Sequence, residues 1–240
     1  MRIIAHRGAS AYAPENTLKA FRLAVKMGAE DFEFDVHRTK DGILVVHHDF
    51  DLKRTSGKDV KIADHTYAEL KKINVAAHFA EDPAFQPVPR LEEVLDVITP
   101  PSRWLNFEVK NDDNIYPGIE EQVLAFLRGR SGLLEKSIIS SFDQGTLRRF
   151  RARAPELKLA YLGHNLSTAL LLPAIKKAKE VGAVNFHMNA RLAFRMNVAK
   201  LHRSGFSVCV YTVNTKKEAL RMQAIGIDGI FSNHPDIMGK

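Results

Sequence analysis

The chain has 240 residues, 45% hydrophobic and 26% charged, a balance that belongs to a globular protein and excludes a disordered or fibrous one. Lys and Arg outnumber Asp and Glu by 35 to 28, a net +7 that favours an anionic ligand; the basic residues are scattered, and the densest group (Arg148, Arg149, Arg151, Arg153) reads as an exposed helix face, so no nucleic-acid partner is expected. One cysteine, Cys209, leaves no internal disulfide; without an apolar run near the ~20 residues of a bilayer span, or a secretory signal, the expected location is cytoplasmic.

In chain order, β-rich runs are expected at Arg2–His6, Asp31–His37, Trp104–Lys110, Ser137–Phe142, Leu157–Gly163, Ala183–His187, Ser207–Val213 and Gly229–Ser232. Helical periodicity fills 17–28, 90–98, 117–130, 143–154, 167–181, 191–204 and 215–225. Asn16 or Thr17 is placed to cap the first helix. Gly28, Gly182, Gly205 and Gly226 follow helical patterns, where a residue tolerant of positive φ ends a helix. Strands alternating with helices imply parallel pairing, and eight such units in this length point to a closed (β/α)8 barrel. An open doubly wound sheet is the competing fold; no glycine-rich dinucleotide loop follows the first strand to favour it.

A ninth run, Ile43–His48, follows the second strand after only Arg38-Thr39-Lys40-Asp41-Gly42. That connection is too short for a parallel crossover, and Asp-Gly is a hairpin signal, so the run should fold back antiparallel. Residues 49–89 then form a charged excursion carrying Pro83, Pro87 and Pro89. The expectation is a single domain over 1–240 with a small insertion, about 49–89, after the second barrel strand. Such an insertion overlies the C-terminal face, where it would act as a lid or substrate-recognition element.

Strand period 2 puts Glu33 and Asp35 on one face and Phe32, Phe34 and Val36 on the other. The apolar set should meet the helices, which sends the carboxylates inward. The same alternation sends Glu108 and Lys110 inward from the next strand. Three converging carboxylates make a hard oxygen site suited to Mg2+ or Ca2+; the alternative is a buried ion-pair network with Arg7 and Lys110. Arg7, just past the first strand, offers a planar fork for phosphate. His6 ends that strand, and His47 and His48 end the hairpin strand facing opposite ways, so one of the pair should enter the site. Two histidines flanking a phosphodiester could serve as general base and general acid. Cys209 reads as a packed thiol, and Trp104 and Phe107 as barrel-to-helix packing. His78, His164 and His202 read as surface residues. His187 ends a strand and carries no assignment, and Tyr211 fits a pocket or a core role equally.

Taken together, His6-Arg7-Gly8, Pro14-Glu15-Asn16-Thr17, Glu33-Phe34-Asp35-Val36, Thr39-Lys40-Asp41-Gly42 and Val45-Val46-His47-His48-Asp49 resemble the glycerophosphodiester phosphodiesterase family. So do Leu52, Arg54-Thr55, Asn106-Phe107-Glu108-Val109-Lys110, Ser141-Phe142, Thr212-Val213-Asn214 and Gly226-Ile227-Asp228-Gly229-Ile230, in order along nearly the whole chain. The resemblance implies a barrel with a small insertion that uses a divalent cation, Mg2+ or Ca2+, and hydrolyses a small-molecule glycerophosphodiester to an alcohol and sn-glycerol 3-phosphate. It implies Glu33, Asp35 and Glu108 as metal ligands and His6 and His48 as the acid–base pair. Arg7 and Lys110 would lie near the phosphate. Three positions depart from the family's usual residues: His37 stands where an amide is common, Tyr211 where tryptophan is, and Ser232-Asn233 where Thr-Asp is. A lysophospholipase D or sphingomyelinase D type enzyme could use the same groups, but would need an apolar route that the mostly polar 49–89 stretch does not offer. A non-catalytic phosphate-binding barrel would have no need of all five of these histidines and carboxylates.

Overall fold

Alternation along Phe32–Val36 divides one strand between two environments, and the computed structural model shows both filled. Phe32, Phe34 and Val36 are fully buried beneath the helices, while Glu33 and Asp35 point to the barrel axis. The structure describes residues 1–81, 84–163 and 171–239. Pro83, His164 and the expected start of a helix at 167–170 lie outside them.

The barrel strands are β1 (Arg2–His6), β2 (Asp31–Arg38), β4 (Trp104–Val109), β5 (Ser137–Ser141), β6 (Lys158–Leu162), β7 (Asn185–Asn189), β8 (Ser207–Tyr211) and β9 (Gly229–Ser232). Each pairs in parallel with its neighbours in the order β1-β9-β8-β7-β6-β5-β4-β2, and a β1–β2 pairing closes the ring. The chain is thus a (β/α)8 barrel, the fold in which catalytic groups gather at the C-terminal strand ends. The antiparallel hairpin partner is β3 (Leu44–Val46). It takes over the edge of β2 where β1 stops: His6 is level with Glu33, and Val46 with Val36. This handover brings residues 47–49 over the end of β1.

The crossovers are α1 (Leu18–Lys26), α4 (Leu91–Ile98), α5 (Ile119–Arg128), α7 (Gln144–Arg153), α8 (Leu171–Glu180), α9 (Arg195–Arg203) and α10 (Lys216–Ala224). Short turns of helix are α2 (Lys53–Ser56), α3 (Tyr67–Leu70) and α6 (Leu133–Lys136). Thr17, rather than Asn16, caps α1: its hydroxyl accepts from the Ala20 amide at 3.2 Å. Gly28, Gly182, Gly205 and Gly226 all take positive φ past helix ends, as expected. Between β3 and α4 the chain builds a satellite core from Val45, Leu52, Ile62, Leu70, Val75 and Val88, so this stretch carries its own packing.

Two side-chain placements differ from the sequence reading. Trp104 does not pack against helices: it shares the parity of Asn106 and Glu108 and lies inside the barrel with Ile4, Ile138, Cys209 and Phe231. Only Phe107 joins the helix-facing core. The Arg148–Arg153 group is also not simply a solvated face, because Arg149 Nε donates to the fully buried Glu120 at 2.7 Å. Cys209 is buried as a packed thiol, and burial pushes it up to about 12. His78 and His202 are exposed as expected.

Candidate active site

At the C-terminal end of the barrel a cavity of about 110 Å³ is lined by His6, Arg7, Glu33, His48, Asn106 and Glu108, with an apolar wall of Phe142, Leu162, Tyr211 and Phe231. His6, Arg7, Glu33, His48 and Glu108 are all among the sequence candidates. Asp35 and Lys110 stand directly behind, in ion-pair contact with them. His47 faces away, its Nε2 3.2 Å from the Asp51 carbonyl, so His48 is the histidine that enters. An open groove lined by Asp49, Phe50, Lys53, Arg54 and Lys110 meets the cavity at His48 and Phe142.

Sheet register assembles the carboxylates. Asp35 is level with Glu108, and Glu33 with Asn106 one step deeper. One oxygen from each of Glu33, Asp35 and Glu108 lies within 4.8 Å of the others. Burial and the neighbouring Asp35 and Glu108 charges raise the Glu33 carboxyl well above the usual carboxylate range. Burial also opposes charge on Asp35, but Lys110 and Arg7 outweigh it and hold that carboxyl low. Arg7 Nε lies 3.3 Å from Asp35 Oδ2 and Lys110 Nζ 3.0 Å from Asp35 Oδ1. Both are ion-pair contacts without hydrogen-bond alignment at Arg7 Nε and Asp35 Oδ1. Lys110 also pairs with Glu108. The ion-pair network and the oxygen cluster are therefore the same residues. Two cations serve three acids, two of them buried and Glu108 partly so, and Glu33 Oε1 has no hydrogen-bond partner among the described residues. An unpartnered oxygen in a hard, all-carboxylate set fits a divalent cation.

The two histidines are held differently. His6 Nδ1 lies 2.7 Å from Asn233 Oδ1, an acceptor, so the ring proton resides on Nδ1 and Nε2 is left with its lone pair. Burial, reinforced by Arg7, lowers His6 to about 3, so it is neutral near pH 7. His48 Nδ1 lies 2.6 Å from Asp49 Oδ1, which directs its Nε2 away from that carboxylate. Asp49 in turn accepts from Arg54 Nε at 2.7 Å, and Arg54 donates twice to Glu15 at 2.7 and 3.0 Å. Glu15 also accepts from Arg7 at 3.0 Å. Arg54 and Arg7 overcome the effect of burial and hold Glu15 at about 2.

In the sequence Glu15 and Arg54 stood within motifs without a role, and Asn16 only as a possible helix cap. In the structure Glu15 and Arg54 complete a charge chain from Arg7 to His48. Asn16 turns at φ 56° and donates to Asp35 Oδ2 at 2.8 Å. His37, at the amide position, is buried between Tyr116 and the His48 loop: Tyr116 lies 2.9 Å from its Nδ1, and the His48 carbonyl 3.4 Å from its Nε2. A neutral imidazole offers one acceptor and one donor, as an amide does. The His48 carbonyl can only accept, so the ring proton is on Nε2 and the Tyr116 hydroxyl donates to Nδ1. Tyr211, the residue at the tryptophan position, lines the cavity and donates to the Gly163 carbonyl at 3.0 Å.

The sequence matches the glycerophosphoryl diester phosphodiesterase family over residues 6–237. It is 36% identical over 238 residues to a glycerophosphodiester phosphodiesterase of Bacillus altitudinis, covering 98% of this chain and 95% of that protein. A relative of the same description from Caldanaerobacter subterraneus is 34% identical, with 98% and 95% covered. Among solved structures, a phosphodiesterase of Oleispira antarctica in complex with its product sn-glycerol-3-phosphate superposes with a TM-score of 0.84 at 28% identity, over 98% of this chain and 94% of that one. The Thermotoga maritima glycerophosphodiester phosphodiesterase gives 0.79 at 27% identity, over 98% and 96%.

Proposed function

The chain belongs to the glycerophosphoryl diester phosphodiesterase family and is an enzyme with that activity; from that premise we propose that it releases sn-glycerol 3-phosphate and an alcohol by histidine acid–base chemistry beside a divalent cation. The observation carrying this reading is the meeting of His6, His48 and the carboxylate cluster at one cavity. The Oleispira antarctica structure, which holds sn-glycerol-3-phosphate as product, supports the same substrate class here.

Glu33, Asp35 and Glu108 would hold Mg2+ or Ca2+, and the ion bound there supplies Lewis acidity toward phosphate and hydroxyl oxygens. Arg7 and Lys110 flank the cluster and offset the charge of the phosphate throughout the reaction. His6 is neutral with its Nε2 lone pair available, so it takes the proton of the attacking oxygen. His48, backed by the Asp49 carboxylate, is arranged to carry a proton as imidazolium and delivers it to the departing alcohol oxygen. Asp49 offsets the ring's charge while that proton is held, as a carboxylate does behind a catalytic histidine. The open groove beside His48 and Phe142 leaves room for the alcohol, and its breadth suits more than one headgroup.

The test is release of sn-glycerol 3-phosphate from glycerophosphocholine and glycerophosphoethanolamine in Mg2+, in Ca2+ and in excess EDTA, with His48→Ala alongside. Activity that EDTA and the substitution both abolish is expected. No release from either diester in either metal, by folded protein, would reject the reading.

A further inference from the structure

The catalytic proposal leaves one buried titratable side chain on the cavity unused. His187 is fully buried on β7, lines the cavity, and has no hydrogen-bond partner at Nδ1 or Nε2 among the described residues. Its ring rests edge-on against Phe231 at 4.9 Å and near Trp104 at 6.3 Å, two apolar neighbours that satisfy neither nitrogen. Burial alone lowers it to about 3, with no charged group contributing, so the ring is neutral and offers one N–H and one lone pair. A second unpartnered atom faces the same cavity. Asn106 Nδ2 donates to Ser140 Oγ at 2.9 Å, which fixes the amide and leaves the buried Oδ1 without a donor.

The interior beneath is apolar: Ile4, Ile138, Ala160, Cys209 and Phe231. A leucine at 187 would continue that packing without an unsatisfied polar group, which costs roughly a factor of ten to a hundred in stability when left unpaired. An imidazole there is explained by a partner that enters the cavity. Asn106 is level with Glu33 and one two-residue step below Glu108, about 6.6 Å along the strand. That step is the reach of a three-carbon chain whose phosphate lies among Arg7, Lys110 and the carboxylates.

We infer that His187 and Asn106 form the floor of the glycerol subsite and bind the C1 hydroxyl, the end of glycerol remote from the phosphate. The hydroxyl oxygen accepts from the imidazole N–H and its proton is donated to Asn106 Oδ1. The pair makes the enzyme selective for an unesterified glycerol end: an acyl or alkyl group on that oxygen removes the donated proton and overfills the floor. This assignment rests on the glycerophosphodiester reading.

The experiment compares kcat/KM for glycerophosphocholine and for its analogue lacking the C1 hydroxyl, in wild type, His187→Leu and His187→Gln. Wild type should favour the parent by roughly ten- to a hundred-fold, the value of a buried polar contact left unmade. In His187→Leu the ratio between the two substrates should collapse toward one, and His187→Gln, which keeps a donor and an acceptor, should recover part of it. Equal losses on both substrates in His187→Leu would overturn the inference, because a merely structural histidine affects both alike. Should His187→Leu fail to fold, competitive inhibition of wild type decides: sn-glycerol 3-phosphate should bind roughly ten- to a hundred-fold tighter than propane-1,2-diol phosphate carrying its phosphate on the primary carbon, and equal inhibition overturns it. Wild type that hydrolyses neither diester rejects the functional reading instead, a different result from hydrolysis without discrimination.

Discussion

His6 at the end of β1 and His48 in the loop after β3 are 42 positions apart in the numbering, yet one chain of charge, Arg7–Glu15–Arg54–Asp49, links their surroundings. That linkage separates the two rings: Arg7 and burial keep His6 neutral, whereas His48 has a carboxylate on Nδ1. His6→Ala and His48→Ala should each lower kcat/KM by ~10²–10⁴-fold with the fold retained, measured on glycerophosphocholine at saturating metal. The carboxylates make a separate prediction. Glu33 is raised by burial and by two neighbouring acids, so it gains most from a cation. Glu33→Gln should raise the apo protein's melting temperature, because it removes like-charge repulsion, and should remove most of the upward shift that millimolar Mg2+ or Ca2+ produces. Differential scanning fluorimetry with and without metal reads both effects; an undiminished metal shift would exclude Glu33 as a ligand.

At the scale of elements, the turn between β1 and α1 fixes Arg7. Arg7 adopts φ 59° and Gly8 φ 83°, and a Cβ at position 8 would lie 2.7 Å from the Ala20 backbone carbon in α1. Gly8 therefore lets the strand end and the helix approach closely enough for Arg7 to turn inward. Gly8→Ala should cost at least about 1–3 kcal/mol, from the positive φ and the backbone clash together, and should lower kcat/KM as Arg7 shifts. Urea unfolding and steady-state kinetics on the same preparation measure the two. The hairpin has a comparable part in placing His48. Because β3 pairs with β2 beyond the end of β1, residues 47–49 cross the barrel mouth, and His37 on β2 lies 3.4 Å from the His48 carbonyl.

Across the whole molecule, buried neutral histidines set the acid side of stability. Burial lowers His37 and His187 to about 3 and His47 to about 4, against about 6.5 in an unfolded chain. Between those values the unfolded state binds more protons, so unfolding becomes easier as pH falls. Each group contributes a slope of up to about 1.4 kcal/mol per pH unit, starting below roughly pH 6.5. Glu15, held at about 2, adds to the loss below its ordinary carboxylate range. Chemical denaturation should therefore show stability falling steadily from pH 7 to pH 4, and His187→Leu should flatten part of that slope. A pH-independent midpoint across that range would contradict it.

What the sequence determined by itself was what short-range periodicity encodes. Alternation in Phe32–Val36 and Asn106–Lys110 placed Glu33, Asp35 and Glu108 on the inward face, because strand parity depends on each strand alone. The Asp-Gly turn and the β/α rhythm gave the hairpin and the barrel for the same reason, and their ordered motifs gave the family. Three things required tertiary structure. Trp104 has the same parity as Glu108, but the depth at which an inward aromatic sits follows from barrel closure. Glu15 and Arg54 each carried a charge whose partner lay 39 positions away, and no local pattern pairs them. His187 was a histidine at a strand end until the closed barrel surrounded it with Phe231 and Trp104 and left its nitrogens facing a cavity. Strand faces are local properties of the chain; the partners a buried polar group finds, or lacks, depend on which distant strands the closed barrel brings around it.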